Sequence, residues 1–140
     1  MSFPLRLAAA LLCCLPLVAA EANDAKTQKH SLEWGTLLCP LTVKVGEVAT
    51  FTLTLEKVPE TAKKVHVDLH WIDAAGKSQG VLVGATGKDI VLGKPMQWDL
   101  RIGAKDGIAK VLPVVYLSTD GSWKGMVAKP PKVTAIDIKP

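Results

Sequence analysis

Cysteine, arginine and aromatic residues are all scarce in this chain, and each shortage excludes something. The 140 residues include 3 cysteines, 1 tyrosine, 2 phenylalanines and 4 tryptophans. Three cysteines cannot build the disulfide framework of a small stapled scaffold. Arginine occurs only at Arg6 and Arg101, and the other basic residues are lysines spread along the length. Nucleic-acid surfaces favour clustered arginine with stacking aromatics, so the formal charge of +4 reads as solvated surface and argues against a nucleic-acid partner. Charged residues make up 21% against 49% hydrophobic, which excludes a disordered chain unable to offset its ordering entropy. Gly-x-Ser-x-Gly elbows, glycine-rich phosphate loops and His-Glu-x-x-His are missing, so no catalytic set is indicated and the expectation is a protein that is not an enzyme.

What is present begins with an address. Residues 1–6 carry one positive charge, Leu7 to Val18 is apolar, and Val18-Ala19-Ala20 offers small residues before the polar Glu21. That is the layout of a secretory signal peptide over residues 1–20, a cleaved helix, with secreted or periplasmic localisation. The run is short of the ~20 apolar residues a spanning helix needs, and Pro16 interrupts it, so no membrane span is expected after cleavage. Cleavage leaves 16 basic residues against 13 acids, a net charge of +3. Cys13 and Cys14 leave with the signal, and Cys39 remains without an intramolecular partner. Cys39 lies in the apolar run Leu37-Leu38-Cys39-Pro40-Leu41, which reads as a buried small hydrophobe. Its alternatives are an intermolecular disulfide in an assembly subunit, or a thiolate ligand.

Residues 21–30 are polar and aperiodic and read as a flexible leader. Beyond them the dominant period is two. Ala49, Phe51, Leu53 and Leu55 alternate with Thr50, Thr52, Thr54 and Glu56, as a strand with one face on a core requires. Val65, Val67, Leu69 and Trp71 alternate with Lys64, His66, Asp68 and His70, and Met96, Trp98, Leu100 and Ile102 repeat the pattern. Val111 to Leu117 is apolar on both faces, the mark of a strand covered on both sides. Turn chemistry separates these runs at Gly46-Glu47, Asp73 to Lys77 and Thr119-Asp120-Gly121-Ser122. The reading is seven to eight strands near 31–38, 41–45, 48–56, 64–72, 79–83, 95–102, 110–118 and 123–138, the last interrupted by Lys129-Pro130-Pro131. It implies an all-β, antiparallel two-sheet sandwich over residues 31–140.

Leu41-Thr42-Val43-Lys44-Val45-Gly46-Glu47-Val48-Ala49-Thr50-Phe51-Thr52-Leu53 resembles the opening strands of bacterial secreted immunoglobulin-like or fibronectin-type-III-like modules. Trp71 is similar to the core tryptophan of such folds, and Val114-Val115-Tyr116-Leu117 to their penultimate strand. The resemblance spans roughly residues 31–138. It implies a binding, spacer or accessory module.

Two sets of residues are candidates for function. On an extended strand, His66, Asp68 and His70 line the exposed side while Val67 and Leu69 anchor the other, and imidazole and carboxylate are donors suited to Zn²⁺ or Cu²⁺. The outer histidines lie about 13 Å apart at the strand rise, so one ion requires an adjacent pair with donors from another strand. The second set is aromatic. Trp123 follows the Asp120-Gly121 turn between Ser122 and Lys124, where an exposed indole can stack on a sugar or anchor a protein contact. Tyr116 and Trp34 join it as candidate ligand-binding residues. The leading expectation is a non-catalytic module that recognises a glycan or protein partner without a cofactor. The alternative is a periplasmic divalent-metal binder.

Overall fold

Strands follow one another from Thr27 to Lys139 in the computed structural model, which describes residues 26–140. The expected signal peptide and leader residues 21–25 lie outside the described residues. Ten strands form: β1 (Thr27–Leu32), β2 (Gly35–Pro40), β3 (Thr42–Lys44), β4 (Val48–Leu55), β5 (Lys64–Asp73), β6 (Ser78–Val83), β7 (Lys88–Asp89), β8 (Met96–Arg101), β9 (Ile108–Ser118) and β10 (Ile136–Lys139). They make two sheets, an all-β arrangement compatible with a sandwich. One sheet has the order β1-β2-β4-β8, and the other β3-β10-β9-β5-β6, with β7 beside β5. Among the described residues no helix is long and apolar enough to cross a membrane.

The period-two alternation produces the core directly. Ala49, Phe51, Leu53 and Leu55 of β4 and Met96, Trp98 and Leu100 of β8 are buried from the first sheet. Val65, Val67 and Leu69 of β5 and Val111, Val115 and Leu117 of β9 meet them from the second, in one continuous cluster. Phe51 sits opposite Trp98 across the β4–β8 ladder, so the two largest rings of the first sheet share a layer.

Several expectations are corrected. The leader is not wholly irregular, because Thr27 to His30 pair with Leu37 to Pro40 as the first half of a hairpin. The strand expected over 31–38 is split by a turn at Glu33-Trp34. The strand expected from 123 begins only at Ile136, and a single 3-10 turn, Trp123–Gly125, stands where it was expected to start. The ladders are not all antiparallel, since β3 and β10 run parallel. That pair arises because the chain changes sheets at Leu41, between β2 and β3. Trp71 faces the same side as its partner Val111 but is only half-buried at the end of the ladder. The fully enclosed indoles are Trp34 and Trp98 instead.

Candidate functional site

His66, Asp68 and His70 do share one face of β5, the one turned away from the core, and the neighbouring strand determines what they meet. β9 pairs with β5 along its length, placing Tyr116 opposite His66, Val114 opposite Asp68 and Leu112 opposite His70. The connection after β6 folds over the same face, where the Ala85 N–H donates to Asp68 Oδ1 at 2.9 Å. The expected exposed side is therefore largely covered. His66 is 4% exposed and Tyr116 9%. Their rings lie 5.0 Å apart between centroids, tilted by 39°.

The polar atoms on this face associate in pairs. His66 Nε2 is 3.8 Å from Asp68 Oδ2, while His66 Nδ1 is buried without a hydrogen-bond partner. His70 Nε2 and the Tyr116 hydroxyl lie 3.4 Å apart. The strand rise that separates the two histidines keeps these pairs distinct. Among the described residues no three His, Cys, Asp or Glu side chains converge to hold a metal ion. The donors for a Zn²⁺ or Cu²⁺ ion are thus one imidazole and one carboxylate oxygen, fewer than the three protein ligands that zinc sites ordinarily supply.

Burial holds the His70 imidazole below its ordinary pKa of ~6.5, with the Asp68 carboxylate opposing the shift. The same two influences, burial first, raise the Tyr116 phenol. A histidine whose folded pKa is depressed favours folding while neutral. Its contribution is present above ~6.5 and is lost as the pH falls towards the folded pKa, because the unfolded chain takes up the proton first. Urea midpoints measured from pH 7.5 to pH 5 should fall more steeply for the native chain than for His70→Gln. Identical slopes would show that His70 is not linked to folding.

The aromatic candidates separate. Trp34 is 5% exposed, packed at the β1–β2 turn with its carbonyl accepting from the Glu56 N–H at 2.7 Å. Neither Trp34 nor the buried Tyr116 offers a ring face to a ligand, which corrects two of the three expected binding residues. Trp123 does, at 66% exposed. The loop carrying it is tightly braced. The Gly121 N–H donates to Ser118 Oγ at 2.8 Å, and the Ser122 N–H and hydroxyl both donate to Asp120 Oδ1, at 2.9 and 2.8 Å. Thr119 N–H to the Gly125 carbonyl, 3.0 Å, closes the loop, and Ser122 Oγ caps the 3-10 turn by accepting from the Gly125 N–H. The two bonds from Ser122, its N–H foremost, hold the Asp120 carboxyl below the usual carboxylate range. Asp120 is therefore charged and already engaged at neutral pH, acting as the loop's internal anchor.

Cys39 is fully buried in β2, and desolvation pushes its thiol up to about 11. A thiol so placed is a core side chain with little thiolate to offer a metal or a second chain.

A cleft of about 650 Å³ at the opposite end from Trp123 was not anticipated. Its only sequence signal is Pro40-Leu41, a break between two strand-like runs where the chain changes sheets. The chain matches no protein-family model, no curated protein and no solved structure.

Proposed function

We propose that this chain is an exported, non-catalytic binding module of the immunoglobulin-like type that recognises a glycan or protein partner through Trp123. Strand order supports the fold assignment. β2-β4-β8 against β10-β9-β5-β6 corresponds to the A-B-E and G-F-C-C′ order of variable-type immunoglobulin sheets, with β2 and β3 as a divided first strand. The amino-terminal pattern of residues 1–20 supports export.

The observation that carries the binding role is the contrast at Trp123. A large indole is two-thirds exposed while the backbone beneath it is secured by a network of short-range hydrogen bonds. Exposing that ring leaves apolar surface in water, and holding the loop rigid reduces the entropy lost when a partner docks. The ring can stack on the C–H face of a sugar or enter a protein pocket as a binding anchor.

The test is recovery from a glycan array and from cell-surface extracts by the mature protein and by Trp123→Ala. Because the side chain is exposed, the variant should fold with stability within about 0.5 kcal/mol of the native chain. Its affinity for the recovered partner should drop by about 30-fold, the loss expected of an anchor worth ~2 kcal/mol. Binding that survives the substitution unchanged removes Trp123 as the recognition residue.

A further inference from the structure

The cleft near Leu41 lies where the sheets part. β2 belongs to the first sheet and β3 to the second, so the chain crosses the gap at Leu41. The crossing leaves two strand edges without a neighbour. β3 is the outermost strand of its sheet, held on one side only, by β10. In the first sheet the β2–β4 ladder stops at Leu38 and Thr52, whereas β4 begins at Val48. Among the described residues, Val48 to Phe51 therefore have no ladder partner on the β2 side. Thr42, Val43 and Lys44 of β3 and Val48, Ala49 and Thr50 of β4 line the cleft, which measures about 650 Å³ and falls in the size range of ligand sites. An unpaired edge offers a row of backbone N–H and C=O groups to any extended segment that reaches it.

The two faces of β3 differ in chemistry. Val43 and its register partner Ile138 turn towards the core, and on that side the cleft continues over the buried Ala49 and Ile102. Lys44 and its register partner Lys139 leave the sheet on the opposite face, both exposed. Like charges directly opposite one another across a ladder are destabilising. Among the described residues neither lysine is in an ion pair, although Lys64 and Lys110 each have an aspartate partner. The one acid on their face of the β3–β10 ladder is Asp137, and Lys110 engages it. A strand laid on the free edge of β3 would send alternate side chains to these two faces, so the edge suits a segment that is apolar on one side and acidic on the other. A second copy of this chain does not suit it, because antiparallel self-pairing about Val43 would gather Lys44 and Lys139 of both copies on one face.

We propose that the free edge of β3 binds an extended acidic segment of a partner protein by strand addition. The segment's backbone pairs with β3, its apolar side chains enter the cleft over Ala49 and Ile102, and the acidic ones between them lie beside Lys44 and Lys139 on the other face. This surface is separate from Trp123, and either can stand without the other.

The probe is the end-blocked peptide Val-Glu-Val-Asp-Val-Glu-Val, used where it sediments as a monomer. Its counterparts carry lysine at the acidic positions, group the acids together in the same composition, or are N-methylated along the backbone. Calorimetry and amide chemical shifts should report saturable binding of the probe centred on residues 41–50. Each counterpart should bind at least about tenfold more weakly, through lost charge, lost alternation or lost backbone donors respectively. Lys44→Glu and Lys139→Glu should keep the native circular dichroism and each weaken the probe by about tenfold. Lys57→Glu, beyond the far end of β4, should leave its affinity unchanged. Absence of saturable binding, equal binding of any counterpart, or affinity unchanged in both cleft variants overturns the proposal. So do shifts that map away from the cleft, and so does a peptide-free dimer joined through β3, which would make a second copy the occupant.

Discussion

Phe51→Ala is expected to destabilise the domain by about 3–5 kcal/mol, the range found when a fully buried phenylalanine is truncated. Phe51 lies at the middle of β4 with no exposed surface, opposite Trp98 in the register and inside the cluster joining both sheets. Removing the ring withdraws its transfer free energy and leaves a void. The strands flanking β4 restrict relaxation around that void, because β2 pairs on one side and β8 on the other. Small domains have only ~5–15 kcal/mol in total, so the loss is a large fraction of the whole. Urea unfolding should show a midpoint shifted strongly downward with an unchanged slope. Thr50→Ala, on the outward face of the same strand, loses one exposed hydrogen bond to Asp99 and should change stability by under about 1 kcal/mol. A Phe51→Ala effect no larger than that of Thr50→Ala would mean the β4 face is not the centre of the core.

Gly35→Ala should be about as damaging, although it adds a single methyl group. A Cβ at Gly35 would stand 2.0 Å from the Thr54 carbonyl oxygen and 2.9 Å from the Leu55 Cα. Both are backbone atoms of β4, so no side chain can swing away to make room. Gly35 opens β2 and pairs with Leu55, which means the methyl must push the ladder apart where the β1–β2 turn folds Trp34 onto the core. A cost of ~3 kcal/mol or more follows from lost pairing and disturbed packing together. Gly103→Ala is the matched control. Its added Cβ meets nothing within 4 Å, so reduced freedom of the unfolded chain should leave stability unchanged or higher by up to ~1 kcal/mol. Comparable losses at both glycines would indicate a general backbone requirement and refute the steric account.

These two positions show how unevenly the fold was legible. Phe51 announces its burial through seven residues of alternation around it, and β4, β8 and the inward face of β5 follow the same rule. Gly35 gives no such sign, because its reason is a strand distant in sequence. His66 lies between these extremes. Alternation placed it correctly on the outward face of β5, yet exposure was the wrong inference, since β9 and the Gly84-Ala85 connection cover that face. The all-apolar run Val111 to Leu117 carried the missing signal. A strand apolar on both sides implies shelter on its outer face, and its neighbour's outward residues share that shelter. Trp34 and Trp123 both read as candidate ligand-binding indoles. One was folded onto the core by the β1–β2 hairpin, and the other was left in solvent by a loop that satisfies its own hydrogen bonds.

The all-β class, the inward set of each main strand and the turn at Asp120-Gly121 follow from the order of residues alone, because the two-residue period and turn chemistry act over a few neighbours. Tertiary structure alone decided the parallel β3–β10 pair, the cleft near Leu41 and the cover over His66. Each depends on which strands lie side by side. That adjacency is set by burying apolar faces against residues tens of positions away, and no local pattern encodes it.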